Sequence, residues 1–161
     1  MNEPRWLTDA RLCIGEREIT GRKHNPKILQ WWTLIRAPFT DDETPWCAGF
    51  VGGILEKVGI KSTRSAWARS YTNYGQKLRR PIVGCIVVFE RGPTSGHVGF
   101  YVGKTAGGYL LILGGNQGDM VKISPFPQGR VLSYRWPPGE PITGDEGQTI
   151  VNTDQLSKNE A

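Results

Sequence analysis

Cysteine and histidine are the residues of this chain best suited to covalent chemistry at neutral pH, and both are few: Cys13, Cys47 and Cys85, with His24 and His97. Cys47 lies in Pro45-Trp46-Cys47-Ala48-Gly49-Phe50-Val51, where an acidic loop, Asp41-Asp42-Glu43-Thr44, gives way to an apolar helical pattern. In the first turn of a helix, the dipole and the free N–H groups favour a thiolate. The same N–H groups can hold an oxyanion. A thiol so placed is suited to acyl transfer, provided a histidine base and a group to orient it come within reach. His24 falls in a polar loop and reads as solvated. His97 opens a strand directly after Thr94-Ser95-Gly96. If Lys104 faces Tyr109 across the turn Thr105-Ala106-Gly107-Gly108, then His97 faces Asn116. The Asn116 amide oxygen would accept one imidazole N–H and aim the other nitrogen at Cys47, with Asp119 as the alternative orienter. The bland reading of Cys47 is a buried structural thiol, the usual fate of a free cysteine. Cys13 and Cys85 take that reading. Three widely spaced cysteines without a CxxC pair make neither a disulfide framework nor a metal site, so no metal and no cofactor are expected.

The elements that must position these groups follow from periodicity. Residues 4–14, 26–36 and 45–59 read as helices, the second capped by Asn25-Pro26 and ended by Ala37-Pro38. Gly49, Gly52 and Gly53 are costly inside the third helix and imply close approach of a neighbour, such as the sheet carrying His97. Ser65 to Tyr71 reads as a short helix. After Pro81 the pattern turns to strands: Gly84–Glu90, His97–Val102, Tyr109–Leu113, Met120–Ile123 and Val131–Tyr134. Helices followed by an antiparallel sheet of about five strands make an α+β domain over 1–136. Residues 137–161 hold no aromatic residue and are expected to be an acidic, disordered tail.

At 161 residues and 38% apolar content the chain can bury a core. Residues 1–136 carry 19 Lys/Arg against 10 Asp/Glu, and residues 137–161 one Lys against five acids. A basic body favours an anionic partner, such as acidic wall polymer or an envelope surface; nucleic acid rests on charge alone and is not expected. No apolar run could cross a bilayer, and Met1-Asn2-Glu3-Pro4-Arg5 is unlike a secretory signal. The expected location is the cytoplasm of the producing cell; any action in the periplasm or wall would require release through a pore or a secretion machine. A monomer is expected.

The order of cysteine on a helix, histidine at a strand start and a polar residue on the next strand resembles the papain-like cysteine hydrolases. In detail, Glu18-Ile19 to Asn25-Pro26, Pro45 to Val51, Ala68-Arg69-Ser70, Gly96-His97-Val98-Gly99-Phe100 and Gly114-Gly115-Asn116-Gln117 resemble a lysin-like subgroup of the NlpC and CHAP superfamily, common in phage and prophage genomes. The resemblance implies a papain-like fold and cleavage of an amide bond in bacterial peptidoglycan, with Cys47, His97 and Asn116 as the catalytic set. Trp46, Trp67, Arg69 and Ser70 would line the substrate groove. Two departures stand out. Asp41, Asp42 and Glu43 lack the calcium-binding arrangement of many CHAP lysins. No Gln stands shortly before Cys47, where papain-like proteases place an oxyanion donor. The rival readings are another thiol acyl chemistry (transamidation, or proteolysis of a protein) and a non-catalytic wall-binding or phage structural domain on the same scaffold.

Overall fold

The computed structural model describes residues 3–19, 24–41, 44–147 and 149–150. Three helices come first: α1 (Arg5–Leu12), α2 (Pro26–Leu34) and α3 (Cys47–Lys57). Asn25 caps α2 as its place before Pro26 implies, its side chain accepting the Lys27 N–H at 2.8 Å. A 3-10 helix, Ala68–Asn73, replaces the expected short helix and leads into the sheet. The strands are β1 (Gln76–Leu78), β2 (Ile86–Arg91), β3 (Ser95–Thr105), β4 (Leu110–Gly114), β5 (Lys122–Phe126), β6 (Val131–Trp136) and β7 (Thr149–Ile150). Their order is β1-β6-β2-β3-β4-β5, all antiparallel, with β7 added in parallel at the far end of β3. The architecture is α+β, as the change of periodicity predicts.

β3 is the strand the rest is built on. Its first half pairs with β2, Phe89 opposite His97, and its second half with β4, Phe100 opposite Leu113. A bulge between Tyr101 and Gly103 shifts the register, so Lys104 faces Leu110 and not Tyr109. The expected alignment therefore holds only at the site end of the hairpin.

α3 is buried along its first nine residues, Cys47 to Leu55. The close neighbour its glycines admit is α2, not the sheet. A Cβ at Gly49 would lie 2.8 Å from the Trp32 ring, one at Gly53 2.6 Å from Trp31, and one at Gly52 2.6 Å from Ile35. The sheet gains its own closeness from glycines on the β4 side, where a Cβ at Gly115 would lie 2.6 Å from Phe50. Trp31 then stacks on Trp46 at 5.7 Å and meets Phe50 edge-on at 5.1 Å.

The chain beyond Trp136 corrects the boundary drawn there. Residues 137–147 lie along the body: the Val83 N–H donates to the Asp145 carbonyl at 2.8 Å, and the Tyr101 hydroxyl to the Glu146 carbonyl at 2.5 Å. Lys104 pairs with Glu146 at 3.3 Å. The segment is held by backbone groups and charges, which a count of aromatic residues does not register. Residues 148 and 151–161, the rest of the expected tail, lie outside the described residues. Among the described residues, no helix is long and apolar enough to cross a membrane.

Candidate active site

Cys47 is the first residue of α3, behind Trp46 as N-cap. Trp46 is fully buried, and its indole N–H donates to Glu18 at 2.8 Å. Its bulk and its polar edge are thus committed to holding the helix start, which corrects the expectation that it lines a substrate groove. Glu18 in turn belongs to a short segment laid against the loop after β4, where the Glu18 N–H donates to Asp119 and the Val121 N–H to Glu16. This frames the N-terminus of α3 from below.

Cys47 is 7% exposed. Burial pushes its thiol above the ordinary range; the backbone N–H of Val98, the Arg91 guanidinium and the N–H groups of Ala48 and Cys47 pull it back in part.

His97 is completely buried. Its Nε2 lies 2.8 Å from Gln117 Oε1. The amide's orientation is decided by its other end, because Gln117 Nε2 donates to the carbonyls of Ile112 at 3.1 Å and Lys122 at 2.8 Å. With both amide protons so used, the oxygen faces the ring and imidazole Nε2 must carry the proton. Nδ1 is then the lone-pair nitrogen, and it is buried without a hydrogen-bond partner, the Cys47 sulfur included. Phe126 stacks on the ring at 5.1 Å and 11°, and Phe89 backs Phe126 at 4.8 Å. Burial lowers the imidazole to about 4 against the upward pull of Gln117, with Arg91 and Arg130 adding to the lowering. At neutral pH the resting pair is an uncharged thiol and an uncharged imidazole.

Gln117, not Asn116, is therefore the residue that meets His97. The extrapolated pairing fails because β4 ends at Gly114 and Asn116 turns into the left-handed region at φ 58°. That turn carries the next side chain back toward the ring. Gln117 and Phe126 were both absent from the expected set. Gln117 stands in the quoted Gly-Gly-Asn-Gln run, whereas nothing local marks Phe126, which reaches the ring only through the β4–β5 pairing.

The expected groove residues separate. Trp67 is 55% exposed and donates its indole N–H to the Thr94 carbonyl at 3.0 Å, so its face stands open beside the turn before His97. Arg69 bonds the carbonyls of Ser95 and Gly92 at 3.0 and 2.7 Å and clamps that turn. Ser70 shares a 2.7 Å hydrogen bond with Thr63. Asp41 takes the Thr44 N–H at 2.7 Å, while Asp42 and Glu43 lie outside the described residues.

Residues 39–116 match the family model of the CHAP domain, a span that runs from the loop before Cys47 through His97. The chain carries a CHAP domain. The match is consistent with the NlpC/CHAP superfamily, as the motifs imply, and suggests an amidase or peptidoglycan-hydrolase type of function. No curated protein and no solved structure matches the chain. The CHAP match stops one residue before Gln117, so the imidazole's partner is read from geometry alone.

Proposed function

We propose that this CHAP domain is an endolysin-like peptidoglycan hydrolase that cuts an amide of the wall peptide through Cys47. The supporting observation is the fixed tautomer of His97: Gln117 holds the proton on Nε2 and leaves Nδ1 as the only basic nitrogen. As Cys47 attacks the carbonyl carbon, its S–H proton passes to His97 Nδ1 and the carbonyl oxygen becomes an oxyanion. The N–H groups at the start of α3 face this region and supply charge stabilisation. His97 then gives its proton to the departing amine. Water attacks the thioester, losing a proton to Nδ1, and that proton returns to the sulfur. Gln117 takes the positioning role expected of Asn116. The starting pair is neutral, so proton transfer accompanies attack and no resting thiolate is needed.

Clearing of purified sacculi tests the reading. Wild type should clear the suspension, and Cys47→Ala and His97→Ala should not. Clearing by Cys47→Ala, or none by folded wild type, would discard it.

A further inference from the structure

A pocket of about 300 Å³ lies beside the side chains that hold the imidazole, and the proposed reaction leaves it unused. Arg91, Asn116, Gln117, Lys122, Ser124 and Phe126 are among the residues that line it. Gln117 and Phe126 are the two side chains that hold the His97 ring, so the pocket shares a wall with the site. Two of its lining residues are cationic and, among the described residues, none is acidic.

Arg91 is the informative one. It ends β2 opposite Ser95, two residues after Phe89, which faces His97. Side chains two apart on a strand share a face, as do directly opposed cross-strand pairs. Arg91 therefore projects on the face of Phe89 and His97. It is exposed, and its side chain makes no hydrogen bond or ion pair with any described residue. Its neighbour in charge, Arg130, is spent on the Glu90 carbonyl at 2.7 and 3.0 Å. A guanidinium left open beside a buried imidazole raises the cost of protonating His97. An arriving anion would offset that cost and complete the fork geometry that guanidinium prefers.

We propose that Arg91 anchors a free carboxylate of the wall peptide next to the scissile amide. This rests on the peptidoglycan reading above and narrows it to stem peptides that keep such a carboxylate unamidated. A carboxylate is favoured over a phosphate because the reacting polymer at this site is a peptide, and the anion must sit within the reach of one side chain from the attacked carbonyl.

Binding, not cleavage, is the test, so that it stands apart from the hydrolase assay. The Cys47→Ala protein is titrated by calorimetry with a stem peptide bearing a free α-carboxylate on its γ-linked glutamate, and with the same peptide amidated there. Amidation should weaken binding about tenfold or more, the worth of one charge-assisted contact. Adding Arg91→Gln should abolish the preference, and Arg91→Lys should keep part of it. Equal or absent binding of the two peptides, or a preference that survives Arg91→Gln, would overturn the assignment. So would displacement of the peptide by glycerol phosphate but not by acetate, which would give the pocket to a phosphate polymer. A carboxylate preference in a protein that clears no sacculi would retain the anchor and discard the hydrolase.

Discussion

At the imidazole of His97, burial and hydrogen bonding oppose one another, and burial prevails. The ring accepts a neutral amide as partner, where a carboxylate would have raised its affinity for a proton. Two consequences can be measured. Gln117→Ala leaves Nε2 unheld and should lower kcat on the order of 10²-fold with KM little changed, a misplacement cost. Asn116→Ala should cost far less, and equal losses would return the orienting role to Asn116. The second consequence concerns stability. An imidazole lowered from 6.5 to about 4 in the fold binds no proton where the unfolded chain already does. The unfolded state is therefore favoured progressively as pH falls from 6.5 toward 4, with no further loss below. The full effect is about 3 kcal/mol. Denaturant midpoints across that range should show the loss in wild type and a smaller one in His97→Gln.

At the scale of elements, the α2–α3 contact decides how the nucleophile helix is seated. Gly53→Ala would gain about 1 kcal/mol of helix propensity. The new methyl would lie 2.6 Å from the Trp31 ring, and Trp31 is itself stacked on Trp46. Overpacking of about 1–3 kcal/mol should prevail, giving net destabilisation in urea titration. A stabilised variant would show that the two helices are free to part. Helices and central strands were legible in the sequence because each buries a regular stripe, as Ile28, Trp31 and Trp32 do on α2. The partner of the α3 glycines was not legible, since a gap in a stripe states that something approaches without stating what. The orienting residue was missed by one position for a related reason. Strand pairing can be extrapolated only while the strand continues, and β4 stops at Gly114.

Over the whole molecule, the segment after Trp136 is tied back to the body by hydrogen bonds from Val83, Tyr101 and Trp136. Deleting residues from 137 onward removes the Asp145, Glu146 and Pro141 acceptors of Val83, Tyr101 and Trp136. The expected cost is about 3 kcal/mol, near 1 for each hydrogen bond, read as a lower thermal midpoint. An unchanged midpoint would restore the disordered-tail reading. Composition could not reveal this segment because little of its hold comes from apolar burial. The order of assembly carries a last consequence. The nucleophile leaves the ribosome early, but the glutamine that fixes the imidazole and the ring stacked on it belong to residues 117–126. β6, an inner strand lodged between β1 and β2, is made after both. A nascent chain therefore exposes Cys47 long before it has a seated base, and competence arrives only when nearly the whole domain has emerged.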